Sequence, residues 1–270
     1  MKRQRLTTIY RLPQRGYPHM TQRLFAAVLA MGLGACASTQ NLESGTVPDP
    51  YEGFNRQMFA FNSGVDKYAL GPAADLYETV TPEYGRDRLS DFLHNLKSPV
   101  IFVNDVLQGE SDRASETFAR FFLNSTLGIA GLWDVAEYTG IEKHNEDFGQ
   151  TLAVWGVDSG PFLILPLMGP TTPRDLFGSG VDRALDPLVW TEFDNNPDLD
   201  DHIEMGRGIL GGLNARVALD DALEQLNAQP EPYIALRRLY SSQRQAEIRN
   251  GRIDEEDAYE DLPDFDEFEE

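Results

Sequence analysis

Apolar residues recur at helical intervals along most of the chain. After an acidic, proline-containing opening at Asp49, the residues Phe54, Met58, Phe61, Val65 and Tyr68 share one stripe, which predicts an amphipathic helix. Leu89, Phe92, Leu93 and Leu96 repeat the i, i+3, i+4, i+7 pattern, with Arg88, Asp91 and Asn95 on the opposite face. Ser98-Pro99 reads as an N-cap and first-turn proline, opening a separate short helix that carries Val100, Val103, Val106 and Leu107 to a stop at Gly109. A third helix is predicted from about Asp112 to Leu127, with Ala114, Phe118, Phe121, Phe122 and Ser125 on its apolar side and a break at Gly128 and Gly131.

Beyond that point the pattern changes. The mixture of glycine and apolar residues from Asp147 to Gly160 suggests a short hairpin. The run Pro161 to Pro170 is the most apolar of the mature chain, yet it is too short and too broken by proline to span a bilayer as a helix. Leu210, Leu213 and Val217, then Leu219, Leu223 and Leu226, fit helices, and Pro232 opens a last one through Tyr233, Leu236 and Tyr240 that Gly251 closes. From Asp254 to Glu270 there are 11 acidic residues and no basic one, which predicts a disordered, solvating tail over 252–270. The fold class that follows is mainly α, a single domain over 49–251 with one short β-hairpin.

The amino-terminal region has a different character. Arg23 precedes the apolar stretch Leu24 to Gly32, which has signal-peptide length, and the stretch ends at Leu33-Gly34-Ala35-Cys36. This looks like a lipobox, so residues 1–35 are expected to be a lipoprotein signal and Cys36 the acylated new terminus. The segment from Met20 is already a complete signal, so Met20 stands as an alternative start. Each buried acyl methylene contributes about 0.8 kcal/mol, which makes a multiply acylated cysteine a lasting anchor. Residues 36–48 then form a tether. Ala37 is not the aspartate that resembles an inner-membrane retention signal, and that favours the outer membrane.

Charge narrows the partners. Six of the 23 basic residues lie in the expected signal, so the mature chain sets 17 basic against 44 acidic side chains, a net charge of −27. Such a surface repels phosphate backbones, so nucleic acid is not an expected partner, and basic residues cannot supply a grip on anionic lipid. Cys36 is the single cysteine, which leaves the mature domain no disulfide, thiolate metal cluster or cysteine nucleophile. His94, His144 and His202 are the mature histidines, and the chain carries no Gly-x-Ser-x-Gly elbow, no His-Glu-x-x-His pair and no Gly-x-x-x-x-Gly-Lys loop. No enzyme activity, cofactor or metal is expected.

The segments also resemble the MlaA (VacJ) family of outer-membrane lipoproteins. The stretches that carry the resemblance are Asp49 to Arg56 with Phe61-Asn62; Asn95-Leu96 with Pro99, Asn104 and Gln108-Gly109; Arg120 to Gly128; and Asp134-Val135-Ala136. They continue through Asp147 to Leu152, Gly156-Val157, Gly160-Pro161, Leu165-Pro166, Gly169, Arg174-Asp175 and Pro232-Tyr233-Ile234, covering roughly 49–250 in order. The leader before Met20 and the long acidic tail depart from the family pattern.

The resemblance implies a ring-like bundle of amphipathic helices lying in the inner leaflet of the outer membrane, with a wet channel through it. It implies association with trimeric porins. It further implies removal of phospholipids that have strayed into the outer leaflet and their delivery to the soluble periplasmic carrier MlaC, without nucleotide and without covalent change. On that reading Phe54, Met58 and Phe61 are candidates for the membrane-facing ring, and Phe162, Leu163, Ile164 and Leu165 for the apolar stretch of the lipid path; plain core packing is the other reading of all seven. Arg174 and Asp175 could meet a head group, but pairing and capping of a loop is favoured. A porin-associated structural lipoprotein without transport shares every one of these sequence features.

Overall fold

The computed structural model describes residues 46–191 and 197–252. The expected signal, Cys36, the tether up to residue 45 and the acidic run from Asp254 lie outside the described residues.

The first helical region is one rod with a widened turn. Helix α1 (Glu52–Val65) runs into a π-helical turn (Asp66–Leu70) and then α2 (Gly71–Val80). Pro72 explains the widening, because it has no N–H to give to the preceding turn. Arg216 clamps the widened turn from a later helix, its Nε and Nη2 lying 2.6 and 3.0 Å from the two carboxylate oxygens of Asp66.

The break expected at Ser98-Pro99 does not occur. A single helix α3 (Glu83–Gln108) carries Pro99 in its interior and ends at Gly109, which takes φ +81° as the helix stop. Proline removes one backbone bond, and the buried Ser98 hydroxyl turns to donate to the His94 carbonyl at 3.1 Å. Packing along α4 (Ser111–Thr126) holds the helix through the proline. The connection after α4 folds back tightly, and a Cβ at Gly131 (φ +94°) would lie 2.4 Å from the Asn95 side chain.

A hairpin exists, but one segment later than expected. Residues Phe148–Val154 form α5, whose N-cap Asp147 accepts from the Gln150 amide at 2.9 Å. Asp-x-x-Gln is a capping-box spacing, and it outweighs the glycine at 149. The apolar run instead supplies β1 (Leu163–Leu165) and β2 (Gly169–Thr171), paired antiparallel with Ile164 opposite Pro170.

Of the remaining helices the last three were expected, while the two that follow the hairpin were not. In chain order these helices are α6 (Pro173–Leu185), capped by Thr172, α7 (Pro187–Trp190), α8 (Pro197–Ala218), α9 (Asp220–Asn227) and α10 (Pro232–Ile248). After α10, Asn250 and Gly251 take positive φ and Gly251 donates back to the Ala246 carbonyl, as a helix stop requires. The apolar core is small, with Phe162, Ile164 and Tyr233 at its centre and Val47, Met58, Phe59 and Tyr240 against it. Val47 and Pro48, expected to belong to the tether, are tied in: Phe162 donates to the Pro48 carbonyl at 2.7 Å and Arg237 to that of Val47 at 2.9 Å.

Candidate functional site

The distribution of polarity is reversed over much of the domain. Among the described residues the buried set holds seventeen polar or charged side chains and ten apolar ones. Helix α4 is the clearest case. It buries Ala114, Thr117, Arg120 and Asn124, while Phe118 and Phe122 stand 59% and 57% exposed. Ala114 is buried, whereas Phe118 and Phe122, which share its apolar side by spacing, face outward. Periodicity finds the face; the medium around it decides which face is inside. Helix α1 behaves likewise, burying Asn55 and exposing Phe54 and Phe61, and all three tryptophans, Trp133, Trp155 and Trp190, are exposed.

The buried polar groups are held in networks. Arg120 bonds Asp134 and the Ile141 carbonyl, and Asn124 donates to the other Asp134 oxygen at 2.9 Å. Burial pushes the Asp134 carboxyl up, but Asn124 and Arg120 together hold it below the ordinary range. Next along α3 and α4, Asp105 accepts from Thr117 at 2.6 Å and faces His144 Nε2 at 3.2 Å. Glu146 accepts from Gln108 and Arg113, yet burial still raises its pKa.

A second network surrounds a cavity of about 270 Å³ whose lining includes Asp147, Asp175, Ser179, Tyr240 and Arg244. The Arg244 guanidinium meets both Asp147 oxygens at 2.7 Å and Asp175 at 3.0 Å, while the Tyr240 hydroxyl donates to Asp175. Burial alone would raise the Asp147 pKa, but the two Arg244 bonds bring it down to about 2. Every charge in this cavity is thus matched within the fold. Arg174 bonds its neighbour Asp175 at 3.1 Å, and the Thr172 hydroxyl accepts from the Asp175 amide, so the pairing and capping reading fits both residues.

The seven apolar candidates separate into two groups. Phe54 and Phe61 are about half exposed, whereas Met58 packs against the core. Phe162 and Ile164 are 0% and 1% exposed and form that core, so neither faces outward; the alternation along β1 leaves Leu163 and Leu165 half-buried. The outward part of the apolar run is the hairpin tip, Leu167 and Met168, which periodicity did not single out.

Fold and site together define a helical protein with a polar interior and apolar outward faces. A family model described as MlaA lipoprotein matches residues 47–247. The chain belongs to the MlaA lipoprotein family. It is 36% identical over 236 residues to the intermembrane phospholipid transport system lipoprotein MlaA of Escherichia coli, covering 85% of this chain and 90% of the relative. The protein of the same name from Haemophilus influenzae is 32% identical over 249 residues, covering 90% and 96%. A solved structure described as the structural basis for maintenance of bacterial outer membrane lipid asymmetry matches with a TM-score of 0.66 at 34% identity, covering 74% of this chain and 98% of its own.

Proposed function

We propose that this chain is an outer-membrane lipoprotein, anchored on the periplasmic side through acylated Cys36, that takes misplaced phospholipids from the outer leaflet and passes them to the periplasmic carrier MlaC. It works beside a trimeric porin and maintains the lipid asymmetry of the membrane. It makes no covalent change in the lipid, and the energy for net movement is spent elsewhere in the system.

The observation that carries this reading is the outward aromatic face of α4 over a buried row of Thr117, Arg120 and Asn124. In water, Phe118 and Phe122 at that exposure would form a liability; in hydrocarbon they are solvated, and the polar row is what needs shelter. No described helix is long and apolar enough to cross a membrane, which agrees with seating in one leaflet. Exposed tryptophans suit the boundary between acyl chains and head groups. A phospholipid head group cannot cross hydrocarbon cheaply, so a protein that moves one offers polar groups to the head and leaves the tails in an apolar medium.

The test is the amount of phospholipid exposed in the outer leaflet of cells lacking the gene, complemented by the full chain or by Cys36→Ser. Exposure is expected to rise on deletion and to return to the parental level only with the acylatable chain. Unchanged exposure on deletion would overturn the transport reading and leave a porin-bound structural role.

A further inference from the structure

The connection that follows α4 is built against the usual rules for a surface loop. Residues 121–133 carry no charged side chain, and the two charges that flank them, Arg120 and Asp134, are buried and bonded to each other. Leu127 and Ile129 are 67% and 61% exposed, and Leu132 and Trp133 are exposed beside them. In a chain with 25% charged residues, four outward apolar side chains within one short loop form a patch rather than a scatter.

The backbone is bent to present them. Ile129, Ala130 and Gly131 are consecutive left-handed residues at φ +50°, +57° and +94°. Glycine adopts that region freely; a β-branched residue there is an outlier and persists only where its surroundings hold it. Asn95 of α3 donates to the Ala130 carbonyl at 3.3 Å, and Gly128 is packed so closely that a Cβ would lie 2.1 Å from the Trp133 carbonyl oxygen. Asparagine or glycine at 129 would make the same turn with less strain, so the turn itself does not call for isoleucine.

The loop also satisfies its own backbone. Six of the seven N–H groups from Leu127 to Trp133 donate to backbone carbonyls of the chain at 2.8 to 3.3 Å. Those of Ala130 and Gly131 reach back to Ser125 and Asn124, whose carbonyls the end of α4 would otherwise leave open. A loop in water has no need of this, because water pairs with exposed amides; a loop in hydrocarbon has no other source of partners. At the edge of the patch the Trp133 indole donates to the Tyr84 hydroxyl at 3.0 Å, and two aromatic bodies with polar tips suit the head-group boundary.

We propose that Leu127, Ile129 and Leu132 insert among the acyl chains of a phospholipid leaflet, which makes this loop a second membrane anchor, independent of acylated Cys36. The proposal rests on the membrane seating read above and adds a specific point of entry. An acylated terminus on a tether fixes the chain to the bilayer but not its orientation; a loop inserted from within the fold fixes both.

The test removes the acyl anchor. The mature chain with Cys36→Ser is diluted from detergent and floated with protein-free vesicles of phosphatidylethanolamine and phosphatidylglycerol, and binding is expected. Ile129→Asn, which fits the left-handed turn, should lower the vesicle partition coefficient about tenfold, and Ile129→Leu should leave it near the parental value. Thermal unfolding of Ile129→Asn should be unchanged or shifted upward, because strain is relieved. An unchanged partition coefficient, or a clear fall in melting temperature, assigns the side chain to the fold and overturns the proposal. Binding only to vesicles that hold porin trimers assigns the loop to a protein partner and overturns it too, as does no binding at all. None of these results touches the transport reading, which is decided by the phospholipid exposed on cells lacking the gene.

Discussion

The Asn55 side chain completes the backbone of Ile164: its Oδ1 accepts the Ile164 N–H at 2.9 Å while its Nδ2 donates to the Phe162 carbonyl at the same distance. One amide thus does for the edge of β1 what a neighbouring strand would do. Asn62, two turns further along α1, repeats the arrangement with the Leu165 carbonyl and the Leu167 N–H.

Replacing Asn55 with alanine leaves a buried donor and a buried acceptor without partners. At about 1–3 kcal/mol for each such group, the loss should reach about 2–6 kcal/mol. Urea unfolding of the detergent-solubilised protein measures it, and Asn55→Asp, which sets a buried carboxylate against Asp49 and the Phe162 carbonyl, should cost at least as much.

Gly178 on α6 is required by its contact with α5. A Cβ there would sit 2.3 Å from the Gly149 nitrogen and 2.7 Å from its Cα, both of them backbone atoms of a packed helix. Gly178→Ala should therefore force the helices apart and cost at least about 1–3 kcal/mol, read as a lowered unfolding midpoint. Gly180, with open space around it, is the control and should tolerate alanine.

Arg244 ties α10 to α5 and α6 through Asp147 and Asp175. Arg244→Met leaves the largely buried Asp147 carboxylate without a cation, with Asp175 held by Arg174 alone, and should cost about 3–5 kcal/mol at neutral pH, whereas lysine, lacking the fork, should recover only part. Asp147 is held down to about 2 in the folded chain. A depressed carboxylate stabilises fully above its unfolded value of about 3.9 and loses that contribution as the pH falls toward its folded value. The wild type and the variant should therefore converge in stability between about pH 4 and pH 2.

His94 gives a milder acid sensitivity. Burial first, then the charges of Lys143, Arg120 and Lys97, bring its pKa from 6.5 to about 4. A lowered histidine stabilises fully above its unfolded value and loses that contribution as the pH falls through the folded one. The loss amounts to about 3 kcal/mol at most and falls between pH 6.5 and 4. His94→Gln should flatten the stability profile across that window in denaturation curves taken at several pH values.

The helices were legible because their caps and stripes are local. Asp49, Gly109, Pro232 and Gly251 punctuate the chain where the sequence pattern predicts. Pro99 misled because a proline signal is local, while the packing of α3 on α4 that overrides it is not. The hairpin was misplaced because glycine at 149 and 156 suggested turns, although Asp147 and Gln150 already carried a helix cap. The polarity of α4 could not be read from spacing, since the same stripe serves a helix in water and a helix in lipid. Arg244 went unnoticed for a simpler reason: its partner Asp147 lies 97 positions away.

The central claim is that the outward aromatic face of α4 lies in hydrocarbon. Nitroxide labels placed singly at positions 118 and 122 in proteoliposomes test it through collision with lipid-soluble oxygen and with a water-soluble nickel chelate. Oxygen is expected to dominate at both positions. Dominance of the nickel chelate at both would put this face in water and contradict the account.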